Sequence, residues 1–228
     1  MKKLVAVLAT ILIGAWVASA TTIPCASVGA TYADYVAMSG RGDDCQLDDK
    51  VFSNFVYESS SYGGASAIAA SGVSVVPYAT PLNPGFLFSA GWSVGPNQGQ
   101  DSHLMYSVTV LPGGLRITDI SALMNGYEAI GTGFVSVAES VVPDPGRSLA
   151  LAYGLGMNVT FDRLDFANSV LHLDVTKNIT VSGGTGGSAS VSGVYNRFSE
   201  GGVPEPLSLL LMGSGLLGLG ALRWRKKS

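Results

Sequence analysis

The sequence predicts an all-β domain, an antiparallel β-sandwich of the jelly-roll or immunoglobulin-like kind, and three observations lead to this prediction. Short runs rich in Val, Ile, Thr and aromatic residues follow one another through the middle of the chain. Several of them, such as residues 115–120 and 170–175, alternate apolar and polar residues, which gives a strand one buried and one solvated face. Only residues 32–39 have helical character, so the strands must pack mainly against each other.

The predicted strands are separated by turn-forming segments, at a spacing that is typical of a sandwich. Clusters of Pro and Gly occur at residues 83–85, 112–114, 143–146 and 183–187. The Pro-Gly-Gly segment at 112–114 lies between two alternating runs and is the clearest hairpin signal. In chain order, we expect strands at residues 51–57, 71–77, 85–92, 104–111, 115–124, 133–142, 148–153, 156–162, 169–181 and 189–198.

The first 20 residues are typical of a secretory signal peptide. Two lysines precede an uncharged apolar run at residues 4–17, and Ala18 and Ala20 give the small-residue pattern that signal peptidase cleaves. Because the apolar run is shorter than the ~20 residues of a membrane-spanning helix, cleavage is favoured over an uncleaved anchor. We expect the mature chain to begin at Thr21, outside the cytoplasm.

A second apolar segment lies near the other end of the sequence. The uncharged, Leu- and Gly-rich run at residues 207–222 is predicted to form a C-terminal transmembrane helix. The prolines on either side of Glu205 keep the junction before it extended, because Pro fixes its own φ and biases the preceding residue away from helix. The basic residues that follow the run should stay cytoplasmic and keep the main domain outside; they are Arg223, Arg225, Lys226 and Lys227.

The order of these features resembles the PEP-CTERM sorting signal of exported and surface proteins of Gram-negative bacteria. The resemblance rests on Val203, Pro204, Glu205 and Pro206, followed by the apolar run and the basic tail, and it covers residues 203–228. It implies cleavage near the Pro-Glu-Pro element by exosortase, a membrane enzyme, and a link to exopolysaccharide, biofilm or the cell envelope. A single-pass anchor that is never cut is the alternative.

These assignments divide the chain into three parts. The signal peptide covers residues 1–20, the β-sandwich domain covers 21–200, and the sorting signal covers 201–228. The sorting signal begins with Gly201 and Gly202, which we expect to form a short flexible linker that lets the cleavage site reach its enzyme.

The composition limits what the domain binds. Hydrophobic residues make up 47% of the chain, charged residues 13%, and the mean hydropathy is +0.35, which excludes ordinary disorder. The net charge of -3 and the pI near 5.3 argue against a nucleic-acid partner. Cys25 and Cys45, the two cysteines of the chain, cannot form a metal-cysteine cluster, and in an exported protein they predict a disulfide.

No pattern of catalytic residues stands out in the middle of the chain. His103 and His172 lie in strand-like segments, and His172 stands between two leucines, which predicts a solvent-facing position. A catalytic histidine needs a nucleophile and an orienting acid within hydrogen-bond reach, and a sequence alone cannot show either. We therefore expect no catalytic residue and no enzyme activity.

Two groups of residues leave a ligand open. Four aspartates, Asp43, Asp44, Asp48 and Asp49, form the densest acidic cluster, and aspartate oxygens suit calcium. The spacing of an EF-hand is absent, so we expect a solvated acidic loop and no cofactor, with calcium as the weaker alternative. Aromatic rings that stack on sugars are the second group, although most rings of a sandwich belong to its core; the candidates are Tyr57, Tyr62, Tyr78, Trp92, Tyr106 and Tyr127.

The function expected from the sequence is that of an exported structural protein of the envelope or the exopolysaccharide matrix. Its expected partners are signal peptidase, an exosortase-type processing enzyme, the inner membrane before processing, and exopolysaccharide. A carbohydrate-binding module is the first alternative, and it needs Trp92 exposed beside tyrosines on a flat sheet face. An extracellular hydrolase is the second, and it needs a cleft with convergent carboxylates or a Ser/His/Asp arrangement.

Overall fold

The computed structural model describes residues 21–80, 82–143 and 148–201, which form two β-sheets, one short helix and two single turns of 3-10 helix. The predicted all-β sandwich is confirmed. In chain order the elements are β1 (Thr22–Pro24), α1 (Tyr32–Gly40), β2 (Asp44–Leu47), β3 (Lys50–Tyr62), β4 (Ser74–Tyr78), β5 (Gly85–Val94), β6 (Gly99–Val110), β7 (Arg116–Asn125), β8 (Glu128–Ile130), β9 (Phe134–Val142), β10 (Ser148–Gly154), β11 (Met157–Val159), β12 (Phe161–Val170), β13 (His172–Ser182) and β14 (Ser188–Gly201).

The two sheets differ in size. The larger has the strand order β1-β2-β3-β6-β13-β9-β10-β11, and the smaller has the order β12-β7-β14-β5-β4, with β8 paired to β14. All neighbours are antiparallel except β1 and β2, which run parallel. The last strand, β14, lies at the centre of the smaller sheet between β7 and β5.

The core between the sheets is rich in aromatic rings. Phe52 of β3 and Phe86 of β5 come from opposite sheets, and their ring centroids lie 4.7 Å apart. Phe55 stacks on Tyr106, with ring centroids 5.5 Å apart. Offset and edge-to-face contacts of this kind add to the hydrophobic gain of burying each ring. The contact of Phe52 with Phe86 joins the two sheets, and that of Phe55 with Tyr106 lies within the larger sheet.

The predicted helix forms at the expected place and packs against the middle of β3, where Tyr32 and Tyr35 contact Phe55. The Asp34 carboxylate accepts hydrogen bonds from the Thr31 amide and hydroxyl at 2.9 and 2.8 Å, which satisfies a donor at the start of the helix. The buried side of the helix presents Tyr32, Tyr35 and Met38 to the core.

The predicted disulfide is confirmed. It joins Cys25, directly after β1, to Cys45 on β2, and both residues are buried. In the chain-entropy model, a cross-link across a loop of this size stabilises a domain by about 3 kcal/mol. The disulfide therefore fixes the N-terminal segment and α1 to the edge of the larger sheet.

The predicted hairpin at residues 112–114 is wrong. The segment leads from β6 in the larger sheet to β7 in the smaller sheet, so the two strands do not pair. Both edges of β6 are already occupied, by β3 and by β13, and the chain has to cross to the other layer.

Several strand boundaries also differ from the predicted ones. The predicted strand at 156–162 is divided between β11 and β12, and the predicted strand at 169–181 is divided between β12 and β13. Strands β1, β2 and β8, each of three or four residues, were not predicted, because runs this short carry no visible alternation.

Gly201 belongs to the folded domain. It is the last residue of β14 and lies opposite Arg116 of β7, so it is not the first residue of a flexible linker. The strand therefore ends one residue beyond the expected domain boundary, immediately before Gly202.

The predicted signal peptide and the predicted C-terminal transmembrane helix lie outside the described residues. In the part of the chain that the structure does describe, no helix combines the length and the apolar character that a membrane span requires.

Candidate functional site

The end of β14 is the point at which the predicted sorting segment leaves the domain. Glu200 and Gly201 pair with Ile117 and Arg116 of β7, and the Glu200 amide also donates to the Leu82 carbonyl at 3.0 Å. The last residues before the sorting segment are thus held from two sides by main-chain hydrogen bonds.

A buried lysine ties this end of β14 to the larger sheet. The Lys50 ammonium donates to Glu200 Oε1 at 2.5 Å, to the Leu115 carbonyl at 2.9 Å, and to Asp49. Lys50 is fully buried, and the Glu200 side chain is nearly so. We call Asp49, Lys50 and Glu200 the exit cluster, because together they fix the position from which the sorting segment starts.

The two carboxylates of the exit cluster titrate differently. Burial raises the pKa of Glu200 above its ordinary value, against the opposing hydrogen bond from Lys50. Burial also acts to raise the pKa of Asp49, but hydrogen bonds from Lys50 and from the Leu115 amide outweigh it, so that this pKa is lowered. Glu200 is therefore the first of the two to take up a proton on acidification.

The aspartates proposed for calcium do not converge. Asp43 pairs with Arg41 and accepts from the Thr21 amide, away from Asp48 and Asp49. The described residues instead bring Asp48, Asp49 and Glu200 together, with ligand oxygens within 4.8 Å of one another. These three carboxylates could contribute to a cation site, but the Lys50 ammonium already supplies a positive charge to two of them.

The aromatic candidates are divided between core and surface. Trp92 is fully buried, and its Nε1 donates to Ser102 Oγ at 3.0 Å. Tyr106 is also in the core, whereas Tyr62 is 58% exposed and bonded through its hydroxyl to Ser182. The remaining three candidates, Tyr57, Tyr78 and Tyr127, are partly buried. The exposed Trp92 that a sugar-stacking face requires is therefore not found.

Each histidine is paired with an aspartate two residues away on the same strand. His103 Nε2 lies 3.1 Å from Asp101 Oδ1, and His172 Nε2 lies 3.2 Å from Asp174 Oδ1. His172 Nδ1 also lies 2.8 Å from Thr109 Oγ1. Both histidines are substantially exposed, as expected for His172, so water has free access to these pairs.

Four buried residues with polar groups meet between the two sheets, and only Tyr106 among them is a candidate from the sequence. Lys177 of β13, Glu139 of β9 and Tyr106 of β6 come from the larger sheet, and Asn196 of β14 comes from the smaller one. Lys177 Nζ donates to Glu139 Oε2, Asn196 Nδ2 donates to Glu139 Oε1 at 3.1 Å, and the Tyr106 hydroxyl donates to Asn196 Oδ1 at 2.5 Å. We call these four residues the core cluster.

The surroundings of the core cluster keep Tyr106 protonated. Burial, and then the negative charge of Glu139, raise the pKa of Tyr106 well above its ordinary value. The tyrosine is thus a permanent hydrogen-bond donor to the Asn196 side chain.

A signal for two members of the core cluster is present in the sequence. Lys177 stands at an inward position of an alternating run, between Val175 and Ile179, and Glu139 stands in the same way between Val137 and Val141. A charged residue at such a position must be paired when the strand is buried. The pairing of Lys177 with Glu139 in the register of β13 and β9 satisfies this requirement.

The predicted processing residues all lie outside the described residues. They are Ala18 and Ala20 of the signal peptide, Val203, Pro204, Glu205 and Pro206 of the sorting motif, and Arg223, Arg225, Lys226 and Lys227 of the basic tail.

Comparisons with solved structures find chains with low similarity. The enzymatically active domain of tailspike protein 4 of bacteriophage CBA120 is 14% identical over 63% of this chain, with a TM-score of 0.28, and this chain spans only 19% of it. TmCBM61, solved with β-1,4-galactotriose, is 13% identical over 63% of this chain and 88% of its own, with a TM-score of 0.28. A family 11 carbohydrate-binding module from Clostridium thermocellum is 11% identical over 61% and 87%, with a TM-score of 0.23. At TM-scores this low, neither a ligand nor an activity can be transferred from these proteins to this chain.

The sorting motif itself has a clear match. No protein of curated function matches the chain, but residues 202–226 match the family model of the PEP-CTERM protein-sorting motif. This motif implies an exported protein with a membrane-anchored precursor that an exosortase processes. The chain therefore carries a PEP-CTERM protein-sorting motif, which begins directly after the last strand of a disulfide-bonded β-sandwich domain.

Proposed function

We propose that the chain is a structural protein of the cell envelope or the exopolysaccharide matrix, cleaved at its sorting motif and delivered as an intact β-sandwich. The observation that carries this proposal is the position of the motif, which starts at residue 202, immediately after β14 ends at Gly201. Cleavage near the Pro-Glu-Pro element removes no residue of the sandwich.

The exit cluster supports release of a folded domain. Lys50 and Glu200 join the first long strand of the larger sheet to the end of the last strand of the smaller sheet. Both residues of this contact are N-terminal to the cleavage site. The end of β14 therefore remains held after the sorting segment is removed. The domain does not depend on the membrane segment for this contact.

A structural role is favoured over the two alternatives. The carbohydrate-binding alternative loses its main candidate, since Trp92 lies in the core. The hydrolase alternative gains no support from the exposed pairs of His103 and His172, because catalytic acid and base groups act best where water is excluded and the nucleophile is held in place. We therefore assign no hydrolytic role to either histidine pair.

Intact-mass measurement of the protein exported by its own host tests the proposal. We expect a mass that begins at Thr21 and ends near Pro204, in the envelope or matrix fraction. A Pro204→Ala/Pro206→Ala double variant should stay in the membrane fraction with its C-terminal segment. Pro112→Ala, at an exposed turn, is the matched control and should be processed normally. Exported material that still contains Trp224 would overturn cleavage, and a fully soluble protein in the culture medium would overturn the matrix assignment.

A further inference from the structure

The core cluster places a primary amine and a primary carboxamide on the same carboxylate. One oxygen of Glu139 accepts from Lys177 Nζ, and the other accepts from Asn196 Nδ2 at 3.1 Å. All three side chains are buried, and the lysine and the asparagine come from opposite sheets of the sandwich. A core position needs none of these polar groups for packing alone, because valine and isoleucine fill the neighbouring inward positions of β13 and β9.

We propose that Lys177 and Asn196 condense spontaneously to form an intramolecular isopeptide bond, with Glu139 as the proton-transfer residue and Tyr106 as the donor to the reacting carbonyl. The product is a secondary amide between Lys177 Nζ and Asn196 Cγ. It cross-links β13 of the larger sheet to β14 of the smaller sheet, independently of the disulfide at the other end of the chain.

The reaction starts with a proton transfer along an existing hydrogen bond. Lys177 Nζ donates to Glu139 Oε2, so transfer of that proton gives a neutral amine, which is the nucleophilic form, and a neutral carboxylic acid. The transfer replaces two buried charges with two neutral groups, which lowers the cost of keeping them away from water.

The amine then attacks Asn196 Cγ. Negative charge develops on Oδ1, which already accepts a hydrogen bond from the Tyr106 hydroxyl at 2.5 Å, in the manner of an oxyanion-hole donor. The Glu139 carboxyl turns so that the proton on Oε2 passes to Nδ2, which Oε1 contacts beforehand, and it then takes a proton from Nζ. The Nζ–Cγ bond forms, the Cγ–Nδ2 bond breaks, ammonia leaves and one proton remains on Glu139, so no oxidant or reductant is needed.

Burial makes the cross-link the favoured outcome over hydrolysis. The amide of Asn196 is fully buried, and its other contact is with the Ser121 carbonyl, so water does not compete with the amine for Cγ. The reacting groups are held by strands of both sheets, which supplies the effective concentration that an intramolecular reaction requires.

Tryptic digestion of the exported protein tests the proposal. Between Arg163 and Arg197 the only tryptic site is Lys177, so an unreacted chain gives the separate peptides 164–177 and 178–197. The cross-linked chain resists cleavage at Lys177 and gives one peptide, 164–197, that is lighter by one ammonia than the sequence predicts. Separate peptides of unmodified mass from the wild-type protein would overturn the proposal. A succinimide at Asn196 would also lose ammonia, but it would leave Lys177 cleavable and would overturn the proposal equally.

Three variants assign the roles of the residues. Glu139→Gln keeps the size of the side chain but accepts no proton, and we expect complete loss of the cross-linked peptide. Tyr106→Phe removes only the hydroxyl, and we expect the cross-link to form at least tenfold more slowly, which corresponds to one lost hydrogen bond to the transition state. Asn178→Ala, on the opposite side of β13 from Lys177, is the control and should retain the cross-link. A cross-link at the wild-type level in Glu139→Gln would overturn the role given to Glu139, and the wild-type digest decides the bond itself even where a variant does not fold.

Discussion

Lys50, the first residue of β3, donates a hydrogen bond of 2.5 Å to Glu200, which precedes the last residue of β14. The two residues are separated by 150 positions in the sequence and belong to different sheets. Because the sorting motif starts two residues after Glu200, this ion pair holds the last strand of the folded domain directly before the sorting segment.

Removal of the Lys50 charge should destabilise the domain and loosen the end of β14. In Lys50→Met the carboxylates of Asp49 and Glu200 stay close together without a cation, and an uncompensated buried charge costs about 3 kcal/mol. We expect a loss of this size in the free energy of urea unfolding, and faster hydrogen exchange at the amides of Glu200 and Gly201.

The matched control for this change is Arg41→Met, which breaks an ion pair at the surface. Arg41 is 61% exposed, and exposed pairs contribute about 0.5 kcal/mol. Equal losses in the two variants would show that Lys50 has no special role.

Trp92 should report on the core and not on sugar binding. In Trp92→Phe the indole hydrogen bond to Ser102 and part of the packing are lost, and we expect the free energy of unfolding to fall by about 2 kcal/mol. The control Tyr62→Phe removes a half-exposed hydroxyl and should cost less than about 1 kcal/mol.

Addition of polysaccharide should leave the fluorescence of Trp92 in the processed protein unchanged. A saturable change in this fluorescence would support the carbohydrate-binding alternative.

The architecture of the domain could largely be predicted from the sequence. Alternation in segments such as residues 115–120 predicts strands with one buried face, and two cysteines in an exported chain predict the bond between Cys25 and Cys45. Both predictions depend on local pattern or compartment alone. The sorting motif is equally visible, because it is a linear signal that needs no fold to define it.

The partners of the strands and the polar clusters could not be predicted in the same way. A turn such as Pro112-Gly113-Gly114 shows that the chain changes direction, but only the occupied edges of β6 decide that the next strand joins the other sheet. Lys177 and Asn196 likewise reach the same carboxylate, that of Glu139, only because β14 of one sheet packs against β9 and β13 of the other. A charged residue within an alternating run is the one local sign of such a cluster.

The Asp34 carboxylate at the start of α1 makes the free energy of unfolding depend on pH. Hydrogen bonds from the Thr31 hydroxyl and then from its amide lower the pKa of Asp34 below the ordinary value of 3.8. The unfolded chain therefore binds a proton at a higher pH than the native chain does. The contribution of the Asp34 charge to stability is fully present above the ordinary pKa, and it is lost as the pH falls through the lowered one.

Comparison of Asp34→Asn with the wild type at several pH values checks this dependence. Asparagine imitates the protonated acid, so the wild type should be more stable in urea at about pH 6, and the difference should shrink steadily below about pH 4. A difference that stays constant over this range would show that the charge of Asp34 does not contribute.

The loop that connects β13 to β14 should tolerate a side chain at Gly186 but not at Gly187. A Cβ on Gly187 would overlap the Ile130 carbonyl oxygen and the Gly133 amide nitrogen, which belong to the backbone and cannot move aside as a flexible side chain does. We expect Gly187→Ala to lower the free energy of unfolding by about 2 kcal/mol. Gly186 has open space at the same position, so Gly186→Ala should be neutral or stabilising by about 0.5 kcal/mol, because alanine has fewer unfolded conformations. Urea unfolding of the two variants measures the contrast, and an unchanged midpoint for Gly187→Ala would mean that the contact between this loop and the β8–β9 turn is looser than the structure shows.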